Sequence, residues 1–249
     1  MRKHFFIAKD RQRGFSLIEM LIVIAILATV TGGIFLQLHN AQQRINAEQT
    51  KVDNFDEARD FADQFFRDIN QIGYPNQHMV TFLPASLTSA WADTRVAVGL
   101  VKINANSIWF EGDVYGTGVV QSVQYKVNGS GTCNLCLQRS TVAKVAADPE
   151  AAAQAPSWGT EVNDVISNPI FTYYDTSGTQ IAAASLPLDI DSNGAAIAKV
   201  KTIHINLRIQ NSAILDMQTR QPIESTFEGE VSINNCSMGT TGFVGISCE

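Results

Sequence analysis

Glu19 stands alone in an apolar stretch. From Phe15 to Leu38 the chain runs 24 residues, and Glu19 is the one charged side chain among them. A carboxylate at membrane depth costs about 2.5–3.5 kcal/mol on insertion scales, so it needs a cationic partner. A source for one lies four positions upstream. Cutting the chain between Gly14 and Phe15 would create a new amine on Phe15. That ammonium could pair with a carboxylate such as Glu19 where the dielectric constant is low.

The residues ahead of the stretch fit such a cut. Arg2, Lys3, Lys9, Arg11 and Arg13 against Asp10 give residues 1–14 a formal charge of +4. Positive charge beside a membrane segment holds that side in the cytoplasm. The apolar residues would span about 36 Å as a helix, enough to cross the hydrocarbon core with some tilt. An ordinary secretory signal is cut after its apolar region at a small-x-small pattern. Here Ala25, Ala28, Thr31, Gly32 and Gly33 offer only weak sites of that kind. An uncleaved signal anchor is the plainer alternative.

Arg13-Gly14-Phe15-Ser16-Leu17-Ile18-Glu19 resembles the type III signal of type IV prepilins and type II secretion pseudopilins. The resemblance implies cleavage by a prepilin peptidase between Gly14 and Phe15, then N-methylation of Phe15. It also implies that Glu19 pairs with the N-terminal amine of a neighbouring subunit during assembly.

Two further patterns could do chemistry. Leu188-Asp189-Ile190-Asp191-Ser192-Asn193-Gly194 holds Asp189, Asp191 and Asn193 at alternate positions before a glycine. That is the first half of a calcium loop, in which alternate oxygens converge on the ion. Val200 occupies the twelfth loop position, where a bidentate carboxylate belongs. An Asx-rich turn is therefore the preferred reading over calcium. The four cysteines are Cys133, Cys136, Cys236 and Cys248. A cytoplasmic leader would place them all in an oxidising compartment. Three pairings exist. Cys133–Cys136 with Cys236–Cys248 is favoured, because each closes a local loop. Zinc is the alternative for a Cys-x-x-Cys half-site, but the second pair is separated by eleven residues with no His nearby.

Several function classes lose support. The whole chain carries a net charge of −6, and removing the +4 leader leaves −10. Nucleic-acid affinity draws on Lys and Arg, so no nucleic-acid partner is expected. No Gly-x-Ser-x-Gly, phosphate loop or His-Glu-x-x-His occurs. His4, His39, His78 and His204 are scattered. A membrane-tethered enzyme is thus a minor alternative, and a tip-borne adhesin is a third reading.

The elements that position these residues follow from periodicity. Between Gln37 and Ile72 there is no proline or glycine. Val52, Phe55, Ala58, Ala62, Phe65, Ile69 and Ile72 recur at helical spacing, with charges on the other faces. Gly73-Tyr74-Pro75 marks the stop. The reading is one helix over 15–72, with Gly32-Gly33 able to loosen it, and with Phe55, Phe65 and Ile69 covered by a sheet. Phe66 lies beside that face. Strands are expected at 96–103, 107–111, 119–127, 135–139, 170–174, 198–210 and 227–233, and a long loop at 143–160. In the longest strand the odd positions from Ile203 should face the core. The fold class is α+β, a long N-terminal helix on a mostly antiparallel sheet domain, similar to pilins. The divisions are a cytoplasmic leader at 1–14, a transmembrane half-helix at 15–38, a periplasmic half-helix at 39–74, and a β-rich periplasmic domain at 75–249.

Phe66–Tyr74, Ile170–Gly178 and Lys199–Gln210 loosely resemble PilW-type minor pilins and J-type minor pseudopilins. That resemblance implies a structural subunit of the bacterial inner membrane, single-pass, that primes or caps a type IV pilus. The alternative is a minor pseudopilin of type II secretion. Implied partners are other minor and major pilins, the prepilin peptidase and the inner-membrane assembly platform.

Overall fold

A computed structural model describes residues 14–76, 79, 93–129, 135–150, 155–216 and 219–234. The chain divides into two units, one reaching to Ala47 and one starting at Glu48. Helix α1 covers Leu17–Ile69, 53 residues. It stays helical through Gly32 and Gly33. The described part of the first unit is this helix as far as Ala47 and the short approach to it.

The second unit holds two antiparallel sheets. The larger uses β1 (Leu100–Asn104), β2 (Ser107–Gly112), β3 (Gln121–Asn128), β4 (Cys136–Ala143), β5 (Trp158–Val162) and β7 (Leu188–Asp189). Its order is β5-β4-β3-β2-β1-β7. The smaller uses β6 (Phe171–Asp175), β8 (Val200–Leu215) and β9 (Pro222–Ser232), in the order β6-β8-β9. A short helix α2 (Ile190–Ile197) follows β7.

One core joins α1 to both sheets. Ala58, Phe61, Ala62, Phe65 and Ile69 are all at most 2% exposed and recur at helical spacing. Phe65 is the hub. Its ring stacks on Phe171 of β6 at 5.5 Å and meets Tyr125 of β3 edge-on at 5.3 Å. In β8, Ile203, Ile205, Leu207 and Ile209 are buried, as period-two alternation requires. Phe66 packs beside the core, 6.4 Å from Phe227.

The buried helical stripe follows a different line from the one the sequence predicts, continuing from Ala58 through Asn54 and Thr50. Val52 and Phe55 are 52% and 48% exposed, so no sheet covers Phe55. Phe61 takes the place expected of them. Other elements also differ. Residues 96–99 are buried but lie outside the β1 ladder. Ala97 N–H donates instead to the Pro75 carbonyl, and Val98 N–H to the Glu111 carboxylate. The expected loop at 143–160 contains the start of β5, which pairs with β4 through Ser140↔Trp158. The expected Asx turn at 189–193 is a helix start, with a kink where Asn193 has φ −131° and ψ 26°. β8 and β9 are each longer than expected.

The end of α1 is fixed by a close backbone crossing. The helix stops at Ile69, and Gly73, at φ 73°, turns the chain just beyond it. Its N–H then donates to the Glu111 carbonyl at 2.9 Å, while Asp113 N–H returns to the Tyr74 carbonyl at 2.8 Å. Gly112 lies beneath this crossing, and any Cβ there would run into the Gln71 carbonyl. Backbone cannot swing aside as a side chain can. Gly112→Ala is therefore predicted to destabilise the folded unit by about 1–3 kcal/mol. Chemical denaturation of the full chain in detergent checks this, and an unchanged midpoint would refute it.

Candidate functional site

The expected processing site lies just ahead of α1. Gly14, Phe15 and Ser16 are outside the helix, and all three are exposed. The Ser16 carbonyl accepts from Glu19 N–H at 3.0 Å and from Met20 N–H at 3.2 Å, so Ser16 is the cap position. Ser16 and Glu19 have capping-box spacing. Glu19 is exposed in the first turn, where a carboxylate also faces the positive end of the helix. The Gly14–Phe15 peptide bond is thus non-helical and open, as a protease needs. Large apolar side chains from Phe15 to Leu38 are 52–78% exposed. A surface of that kind belongs in lipid or against other helices. By length and composition α1 can cross a membrane.

Residues 9–35 match the family model described as the prokaryotic N-terminal methylation motif. The N-terminus is that of a type IV prepilin-like protein. The motif is processed in pilus and pseudopilus subunits generally, which are typically structural rather than enzymatic. With the apolar helix it points to anchoring in the inner membrane before incorporation into a filament. No curated protein and no solved structure matches the chain. The architecture, a long N-terminal helix on antiparallel sheets, is pilin-like α+β.

Two buried polar clusters of this prepilin-like chain escaped the sequence reading. In the first, Asp68 of α1 accepts from the Tyr125 hydroxyl at 2.6 Å and from Arg139 Nε at 2.7 Å. Gln64 Nε2 donates to its other oxygen at 2.8 Å. Burial, and then the facing Asp68 charge, push the Tyr125 phenol well up, so it stays a donor. This cluster ties the last turns of α1 to β3 and β4. In the second, Lys144 Nζ lies 2.7 Å from Glu111 Oε2, both side chains fully buried. Lys144 also donates to the Val96 carbonyl at 2.9 Å. Burial pushes the Glu111 carboxyl up more than Lys144 pulls it down. This pair pins the 96–98 segment to the end of the sheet.

The remaining sequence candidates are dispersed. Asp189 is the N-cap of α2, and its Oδ1 accepts from Ser192 N–H at 2.6 Å. Asp191 lies among like charges. Partial burial, then Asp148, Glu150 and Asp189, push its carboxyl up. Lys102 bridges to Glu150 at 2.8 Å nearby. Among the described residues no group of three or more His, Cys, Asp or Glu is arranged to hold a metal. Cys136 is buried and disulfide-bonded. Cys133, Cys236 and Cys248 lie outside the described residues, as do His4 and His78.

Proposed function

We propose that the chain is a minor pilin of the PilW type, a subunit that primes or caps a type IV pilus after prepilin peptidase cleavage. The observation that supports this reading most is the joint occurrence of an open Gly14–Phe15 bond, a first-turn Glu19 and an exposed apolar helix. A β-rich unit of two sheets follows among the described residues. In this reading residues 1–14 are a cytoplasmic leader. Residues 15–38 cross the inner membrane, residues 39–74 continue the helix in the periplasm, and residues 75–249 form the periplasmic domain. The partners are other minor and major pilins, the peptidase and the inner-membrane assembly platform. The periplasm would also oxidise Cys133–Cys136 and Cys236–Cys248.

Peptide mass spectrometry of the protein from a host with a prepilin peptidase tests the reading. The mature chain should begin at N-methyl-Phe15. An intact Met1 terminus, or a start beyond Leu38, would overturn it.

A further inference from the structure

Strand β9 is the long open edge of the smaller sheet. It has eleven residues, against five for β5, five for β6 and two for β7 at the other sheet ends. It pairs with β8 without interruption from Thr202↔Ser232 to Asn211↔Ile223. Among the described residues nothing pairs with its other side. Proteins guard such edges with bulges, charged side chains (lysine above all), prolines, short length or a covering helix or loop, and the charges on β9 are its glutamates. β9 has no lysine, its only proline is its first residue, and no bulge occurs over those ten pairs.

The two faces of this edge differ. Glu224, Glu228 and Glu230 lie on the exposed side. Glu224 pairs with Arg208 at 2.7 Å, and Glu228 accepts from the Asn206 amide at 3.0 Å and has no cationic partner among the described residues. Glu230 has no cationic partner among the described residues. The other side carries Phe227 next to Phe66, and buried Val231. A strand added here would meet carboxylates on one face and, on the other, the half-buried Phe227 packed against Phe66. A second copy of β9 would set glutamates against glutamates, which is unfavourable. Residues 235–249 contain no Lys or Arg, so they cannot supply the missing charge.

We propose that the β9 edge accepts a β-strand from a different protein, one whose sequence alternates basic with apolar residues. Backbone hydrogen bonds would give affinity, and the alternation would set register and specificity. Nothing in the binding step needs a filament, so its failure would leave the pilin reading standing.

The test uses the full chain in detergent and a fluorescent octapeptide of alternating Lys and Val, read by anisotropy. Three controls define it. These are an alternating Glu–Val octapeptide, a Lys–Val octapeptide N-methylated at alternate amides, and the Glu228→Lys, Glu230→Lys double variant. The Lys–Val peptide should bind, and N-methylation should abolish binding, because it removes the donors of a ladder. The double variant should bind the Lys–Val peptide about tenfold more weakly and gain affinity for the Glu–Val peptide. Failure of the Lys–Val peptide to bind would overturn the proposal. So would undiminished binding after N-methylation, or indifference to the charge reversal. A concentration-dependent dimer whose β9 amides become protected from exchange would also overturn it, by showing a second copy as the occupant.

Discussion

Lys144→Met should cost the folded unit about 3–5 kcal/mol. The Lys144 and Glu111 side chains are fully buried and 2.7 Å apart. Methionine keeps much of the length of lysine but removes the charge. Glu111 would then be buried with only the Val98 N–H, at 3.1 Å, to stabilise it. Its Oε1 already lacks a hydrogen-bond partner. Lys144→Met combined with Glu111→Leu removes both charges and should recover most of the loss, since an ion pair is replaceable by apolar packing where a lone charge is not. Urea unfolding of the full chain in detergent, followed by tryptophan fluorescence, measures both. The loss should also shrink as pH falls. Burial raises the Glu111 pKa. A carboxyl with a raised folded pKa binds its proton more tightly when folded, so its unfavourable contribution is fully present above the folded pKa, shrinks as pH falls through it, and is gone below the ordinary carboxyl pKa of the unfolded chain. A single-variant loss below about 1 kcal/mol at neutral pH, or a double variant no more stable than the single, would refute the argument.

Glu19→Ala should leave membrane insertion and Gly14–Phe15 cleavage largely intact but impair incorporation into a filament or tip complex. Within its own chain Glu19 lies in the first helical turn, one turn from Phe15. A neighbour displaced along a filament axis could bring its amine to this carboxylate at close range. In a low-dielectric core that pairing offsets the desolvation of both charges, and leaving one alone should cost several kcal/mol. Glu19→Val should behave similarly, because it removes the charge and keeps the segment apolar. Co-purification with partner pilins, run beside a processing assay, distinguishes the steps. Normal incorporation of the Ala variant would show the pairing to be dispensable in this subunit.

Local patterns carried much of this molecule. The Arg13–Glu19 signal, the α1 stop before Gly73 and the alternation in β8 are each written in a few adjacent residues. What stayed hidden depended on distant partners. Asp68 looks like one more solvated charge on α1, since Tyr125 and Arg139 lie 57 and 71 residues away. A faint signal existed. Phe61, Phe65, Asp68 and Ile72 themselves follow helical steps of four, three and four. Phe55 extended the apolar spacing, but at that height the buried face of the helix passes through the polar residues Asn54 and Thr50 instead. β5 was obscured by the Ala-rich residues before it, and α2 by the turn-forming character of Asp-Ser-Asn-Gly. In both, tertiary context overrode composition.

The Asp68 cluster also sets the rotational phase of α1. Each residue turns the helix by about 100°. Sliding the sequence by a single residue against the sheet would swing Asp68 about a quarter-turn away from Tyr125 and Arg139. The carboxylate near its end therefore fixes the azimuth of the helix together with the buried Phe61, Phe65 and Ile69. Phe55 and Val52 lie thirteen and sixteen positions earlier, which places them about 140° and 160° around the helix from Asp68. Their outward aim thus follows from a contact on the opposite side of the same cylinder. Any protein that reads the Val52–Phe55 face reads an orientation that Asp68 helps to fix.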